Sequence, residues 1–258
     1  MAPHQTQWIG PVQARGVEEF TLAVLGSGSG NVVVPDDDSD AKVVLIERGS
    51  FGGTCINRGC IPTKMFSYTA DLAVQIRRAP EFGLSATLDA VDWPAIRDRI
   101  VARVKQTSSS GHKNQGKSAS VTLFDGRARF ASPHELVIDG GTRIEAEQIV
   151  IATGGRPSIP PAVAHSEVEF CTSDTVMWLE ALPASMVILG GGYVAVEFAH
   201  VFSSLGVKVH FVEMAATLLE SLDAEISERN RSLPPLRRGS DPLRPKPQQP
   251  STQDTRES

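Results

Sequence analysis

Residues 185–213 read SMVILGGGYVAVEFAHVFSSLGVKVHFVE, and three patterns succeed one another inside that stretch. MVIL is an apolar run of strand length, GGG is a turn, and Val194, Phe198, Val201 or Phe202, and Leu205 return at three- and four-residue steps as one helix face. Gly206 stops that helix and VKVHFV is a second strand. A strand, a helix and a strand of these lengths form the crossover unit of a parallel α/β sheet. The turn fits G-x-G-x-x-A with Gly190, Gly192 and Ala195, and Glu213 closes the second strand 23 residues after Gly190. A dinucleotide demands that pattern: glycine where the chain turns sharply and where backbone approaches pyrophosphate, a small residue where helix meets strand, and an acid for ribose hydroxyls. Glu213 favours a free 2′-hydroxyl and repels a 2′-phosphate, so its local chemistry prefers NADH to NADPH.

A related unit opens the chain. FTLAVL (20–25) reads as a buried strand, GSGSGN follows at once, and KVVLIE (42–47) is β-branched and apolar like an interior parallel strand. Gly26, Gly28 and Gly30 lie in the turn, and Glu47 closes the next strand 21 residues after Gly26. A helix N-terminus after the turn would offer its unpaired amides to phosphate. Asn31 stands where glycine or alanine is usual, so this turn alone reads either as a dinucleotide site or as an ordinary glycine-rich loop. DDDSD (36–40) reads as a solvated loop. Helices are expected over 62–78, with Met65, Phe66, Ala70, Leu72, Ala73 and Ile76 on one side, and over 93–105. SSSGHKNQGKS (108–118) reads as a polar linker, and the short alternating runs after it as a small β-meander.

Composition narrows the class of protein. The 258 residues suit one large domain or two modest ones, and 41% hydrophobic content with 22 glycines is that of a globular chain. A net charge of −5 offers no surface for nucleic acid or anionic membrane. No run approaches the ~18 apolar residues of a spanning helix, and MAPHQTQWIGPVQARG has no signal-peptide pattern, so a cytoplasmic location is expected. From about Asn230 the chain holds six prolines, five arginines and no aromatic residue, and this tail is expected to be disordered.

Gly52-Gly53-Thr54-Cys55-Ile56-Asn57-Arg58-Gly59-Cys60-Ile61-Pro62-Thr63-Lys64 is the most informative stretch for chemistry. C-x4-C opens an iron–sulfur spacing, but such a cluster needs four thiolates and only Cys171 remains. Zinc would need two further ligands at short spacing and no histidine lies nearby, so no metal is expected. In a regular helix, residues five apart have Cα atoms about 8–9 Å apart, beyond the ~7 Å a disulfide tolerates. Cys55 and Cys60 therefore pair only where the chain is irregular, which Gly59 permits and Pro62 assists by starting a regular helix after it. A helix N-terminus would lower a thiol's pKa and sharpen its nucleophilicity. The alternative is two buried cysteines that never pair, which is the better reading of Cys171.

GGTCINRGCIPTK resembles the active-site signature of the FAD-dependent pyridine nucleotide–disulfide reductases, and its order relative to the two glycine turns is that family's order. Within the family, GSGSGN, CIPTKMF and TSDTVM…LP…EFAHVFSSLGV are most similar to the mycothione reductases. The resemblance covers residues 19 to about 229. It implies an α/β protein: an FAD-binding Rossmann-like domain with a small β-meander (19–160) after an N-terminal extension (1–18), then a partial NAD(P)-binding Rossmann-like domain (161–229) and the tail (230–258).

The resemblance also implies roles. Gly26, Gly28, Gly30 and Glu47 would hold the adenosine half of FAD, with Gly53, Thr54, Ala128, Ala152, Thr153 and Gly154 touching it elsewhere. Cys60 would face the flavin as the charge-transfer thiol and Cys55 would attack the substrate disulfide, mycothione. Lys64 would lie by the flavin ring and pair with Glu197, and Tyr193 would be a lid where nicotinamide enters. Gly190, Gly192, Ala195 and Glu213 would hold NADPH or NADH. The family is homodimeric, with an interface domain that carries a His–Glu pair, and none of the six histidines here lies in such a context. Family chains are longer, so a C-terminally truncated chain of low activity is expected, the shift after LDAEISER being of the kind a frame change produces. Glu213 favours a dihydrolipoamide dehydrogenase instead, and the absent histidine favours a non-catalytic nucleotide-binding remnant. Arg58 replaces the valine usual between the cysteines and would set a cation beside a thiolate.

Overall fold

A computed structural model describes residues 17–35, 40–223 and 225. The DDDSD run apart from Asp40, and the tail from residue 230, lie outside the described residues. The chain divides into two compact units, between Leu182 and Pro183.

The first unit is built on β1 (Glu18–Leu25), β2 (Val43–Glu47), α1 (Gly53–Arg58), α2 (Cys60–Arg78), α3 (Trp93–Gln115), β3 (Val121–Asp125), β4 (Ala128–Phe130), β5 (Glu135–Ile138), β6 (Thr142–Ile151) and α4 (Pro161–Ala164). Its six strands form one sheet in the order β3-β2-β1-β6-β5-β4. β3, β2, β1 and β6 run parallel, while β4, β5 and β6 form an antiparallel meander. β6 joins the two parts because its ten residues reach β5 with one end and β1 with most of their length. VTLFD is thus an outer parallel strand rather than the first arm of the meander. β2 is buried at Val43, Val44, Leu45 and Ile46, as a strand covered on both faces must be.

Helix α2 starts at Cys60, two residues before the expected Pro62. It buries Pro62, Thr63, Phe66, Ala70 and Ala73 at steps of four and three, leaving Leu72 42% exposed, off the expected face. Helix α3 corrects the reading of 108–118: Ser108 to Gln115 are helical, ten residues beyond the expected end. Its start is conventional, with Pro94 in the first turn and Asp92 accepting from Ala95 N at 3.0 Å. Its far end rests on tertiary contacts that override the poor helix propensity of Ser and Gly. Ser108 Oγ donates to Phe51 O at 2.7 Å, and His112 meets the Phe51 ring edge-on and Asp125 Oδ1 at 3.0 Å.

Residues 161–182 belong with this first unit, which moves the boundary expected after residue 160. Side chains of α2 and α3 hold the segment: Thr63 Oγ1 reaches Met177 Sδ at 3.9 Å, Trp93 Nε1 donates to Leu179 O at 2.8 Å, and Arg97 donates to Leu179 O and Glu180 O. Met177 is buried as a result.

The second unit contains β7 (Ser185–Leu189), α5 (Tyr193–Ser204) and β8 (Lys208–Val212), with the strands parallel. Phe198, Ala199, Val201, Phe202 and Leu205 are buried, while Val194, expected on the same face, is exposed. Gly206, at φ 101°, donates to Ser203 O, and Val207 donates to Phe202 O, the paired bonds that close a helix through a left-handed residue. No helix among the described residues is long and apolar enough to cross a membrane.

Candidate functional site

The first glycine turn is packed against two other segments. Gly26 has φ 108°, and a Cβ there would lie 2.4 Å from Ala152 O. At Gly53, φ 60°, a Cβ would lie 2.5 Å from Gly28 Cα, so two glycine backbones touch where the turn meets the start of α1. At Gly30 a Cβ would lie 2.5 Å from Ala152 Cβ. The close approach expected at position 31 therefore falls on Gly30. Among the described residues the turn is followed not by the expected helix but by a five-residue 3₁₀ turn, Ser29–Val33. Three successive valines and Pro35 favour extended chain over helix there. Asn31 Nδ2 donates to Ser27 O at 2.9 Å, while its Oδ1 is buried without a partner among the described residues.

Glu47 ends β2 beside this turn. Its Oε2 accepts from Ser27 N at 3.0 Å and Ser27 Oγ at 2.7 Å, and its Oε1 accepts from Gly49 N at 2.8 Å. Burial pushes the carboxyl upward, but these hydrogen bonds outweigh it and hold the group below its ordinary value. A cleft of about 990 Å³ opens beside Glu47, bounded by Gly49, Ser50, Asp125, Gly126 and His112 among others. Its size and the Glu47 carboxylate at its edge suit the sugar end of a nucleotide.

The cysteine loop is fastened from behind. Asn57 Nδ2 donates to Ser50 O, Phe51 O and Gly53 O, which fixes the left-handed Gly52–Gly53 step. α1 breaks at Gly59, where a Cβ would lie 2.9 Å from Thr54 O, and α2 begins at once, with Thr63 N donating to Gly59 O. Cys55 and Cys60 flank that break, both as exposed free thiols. The Cys55 thiol is pushed above its ordinary value, first by its hydrogen bond with the Cys60 side chain and then by desolvation. The lowering expected from a helix N-terminus is overridden because the bond to the Cys60 sulfur holds the Cys55 proton. Arg58 does not stand free beside the thiols: its Nε lies 3.4 Å from Asp174 Oδ2. No group of ligands suited to a metal ion occurs among the described residues.

The remaining residues are spread more widely. Ala128 is half-buried in β4, Thr54 is exposed beside Cys55, and Lys64 is exposed on α2. Thr153 and Gly154 follow β6 at the surface, and Gly154 has φ 71° with open space where a side chain would stand. In the second unit Gly190 takes the left-handed turn at φ 100°. Gly192, at φ −74° and ψ 176°, has ordinary backbone and nothing within 4 Å of a Cβ. Among the described residues, neither conformation nor packing requires glycine at 192. Tyr193 is 71% exposed at the first position of α5, and Ala195 and Glu197 are half-buried one turn on. Glu213 lies just past β8; its Oε1 accepts from Ala215 N, and a Cβ at Gly191 would lie 2.9 Å from its Oε2.

Sequence reasoning missed Ser27, Asn57, Ser108 and Gly191. Three of them occupy unspecified positions of their motifs, and only Ser108 carried a misleading signal, its place in a polar run.

Residues 20–232 match the family model described as pyridine nucleotide-disulphide oxidoreductase. The chain is 41% identical over 218 residues to mycothione reductase of Mycobacterium tuberculosis, covering 83% of this chain and 48% of that protein. It is 34% identical to glutathione reductase of Burkholderia cepacia, covering 81% and 46% of the two chains, and 34% identical to dihydrolipoyl dehydrogenase of Chlamydia muridarum, covering 82% and 46%. Among solved structures it is similar to the HOCl-induced flavoprotein disulfide reductase RclA from Escherichia coli, at TM-score 0.69 and 29% identity over 81% of this chain and 45% of that one. The chain spans about half the length of the curated relatives it matches. On this match, the chain belongs to the pyridine nucleotide-disulphide oxidoreductase family.

Proposed function

We propose that this chain is part of an FAD- and NAD(P)H-dependent disulfide reductase of mycothione-reductase type, with Cys55 and Cys60 as its redox pair. The observation that supports the reading is the contact of Gly28 with Gly53, which sets the first glycine turn directly on the loop that opens the cysteine break. Gly26, Gly28, Gly30, Gly53, Thr54, Ala152, Thr153 and Gly154 would line FAD on that side, with Ala128 in reach of the adenosine end and Lys64 on the flavin side. Glu47 would take the ribose hydroxyls at the mouth of its cleft. Gly190, Gly192, Ala195 and Glu213 would hold the nicotinamide coenzyme, with Tyr193 at its entrance and Glu197 on the adjoining turn. Bound FAD would supply a two-electron relay between reduced nicotinamide and the thiol pair.

The protein's own step is thiol exchange. The Cys55 thiolate attacks one sulfur of the substrate disulfide and releases the first thiolate. The Cys60 thiolate then attacks the Cys55 sulfur, releases the second, and closes the Cys55–Cys60 disulfide, so two electrons leave the dithiol for the substrate. The irregular winding at Gly59 is what lets the two sulfurs meet. A second reading, dihydrolipoamide dehydrogenase, rests on Glu213, whose carboxylate suits NADH. We place the working enzyme in the cytoplasm as a homodimer, where a reducing poise keeps the pair as thiols between turnovers.

Mixing the reduced chain with mycothiol disulfide tests the exchange without the relay. Two thiols per chain should disappear and two equivalents of mycothiol appear, and Cys55→Ser should abolish both. Loss of no thiols, or equal loss from Cys55→Ser, would overturn the assignment.

A further inference from the structure

We infer that Ser27 is a positioning residue for dinucleotide binding, acting through Glu47 and joining that carboxylate to the loop that leads into the cysteine helix. The inference rests on the proposed seat of FAD at the first turn. Ser27 is the unspecified residue of the G-x-G turn, yet it is 0% exposed and every polar group it has is engaged. Its N–H and its hydroxyl both donate to Glu47 Oε2, at 3.0 and 2.7 Å. The same hydroxyl oxygen accepts the Gly52 N–H at 2.9 Å, and its carbonyl accepts from Asn31 Nδ2 at 2.9 Å.

Three segments thus share one hydroxyl. A ribose hydroxyl binds an ionised carboxylate of fixed orientation better than a rotating or protonated one, because only the ionised form offers all its lone pairs. The 2.7 Å bond from Ser27 Oγ, opposed by the Gly49 N–H on Oε1, sets that orientation. The Gly52 N–H on the other side of the hydroxyl locks Ser27 in the required rotamer and ties the ribose acceptor to the Gly52–Gly53 step. An alanine at 27 would leave the Gly52 N–H buried without its partner and Glu47 with one donor fewer.

The test is FAD affinity of the full chain, read from flavin fluorescence between about pH 3.5 and pH 8, a window that spans the range in which glutamates titrate. Wild-type binding is expected and tests the underlying seat; its absence would refute that seat rather than the role of Ser27. Ser27→Ala should weaken FAD binding roughly tenfold near neutrality, the scale of one charge-assisted hydrogen bond. Its affinity should also begin to fall at a higher pH than wild type's, since Glu47 then protonates more readily. In a Glu47→Gln background, Ser27→Ala should change affinity less than about twofold, because the two residues act as one unit. Ser27→Cys, near in size but a weak hydrogen-bonding partner, should move affinity and pH profile in the same direction and serves if the alanine variant does not fold. Additive losses in the double variant, or a weaker affinity with an unmoved pH profile, would overturn the inference.

Discussion

Replacing Gly30 by alanine puts the packing of the first turn to a quantitative test. Gly30 is buried and its backbone lies outside the left-handed region, so an added methyl meets a steric objection alone. That methyl would stand 2.5 Å from Ala152 Cβ and 3.1 Å from Val24 Cγ1. Carbon atoms pack at about 3.5–4.0 Å, so the turn must retreat from the end of β6 by roughly 1 Å. Overpacking of this kind costs about 1–3 kcal/mol, and in a chain of this size each kcal/mol moves Tm by about 2–4 °C. Gly30→Ala should therefore lower the melting temperature by roughly 2–12 °C, followed by far-ultraviolet circular dichroism of the full chain. Ala152→Gly in the same molecule removes the carbon that clashes, so the double variant should recover most of the loss despite the added freedom of a new glycine. A Gly30→Ala variant as stable as wild type would refute the packing argument, and so would a double variant showing the sum of the two single losses. Either result would return the close-approach role to position 31.

Two further perturbations probe the redox pair and the acid beside it. Gly59→Ala places a Cβ 2.9 Å from Thr54 O at the break between α1 and α2, so air or mild oxidant should form the Cys55–Cys60 disulfide more slowly. Thiol counting over time checks this, and an unchanged rate would show that the break tolerates a side chain. Glu47 has a carboxyl held below its ordinary value, so its stabilising contribution is present above the ordinary glutamate range and lost as pH falls through the lowered value. Glu47→Gln should thus be the less stable protein at neutral pH, with the difference in urea midpoint shrinking as the solution is acidified. A difference that grows in acid would contradict the hydrogen bonds assigned to this group.

What could be read in advance was what neighbouring residues decide among themselves. The glycine at 206 ends its helix by its own conformational freedom, and the β-branched runs at 20–25 and 42–47 become the buried parallel pair their composition suggests. Where the deciding partner is distant, reading failed in a consistent way. The helix through Ser108 to Gln115 exists because Phe51 accepts from Ser108 and faces His112, and no local propensity announces it. The first unit runs to Leu182 because α2 and α3 reach across to Met177, Leu179 and Glu180, none of which carries a signal of its own. Arg58 makes the distinction sharpest. Its spacing from both cysteines was plain, and a cation there should favour a thiolate. Asp174, far along the chain, pairs with the guanidinium at 3.4 Å, while Cys60 itself pushes the Cys55 thiol upward. A charge beside a reactive group is therefore informative only together with the counter-charge that decides where it points, and that counter-charge is a property of the fold.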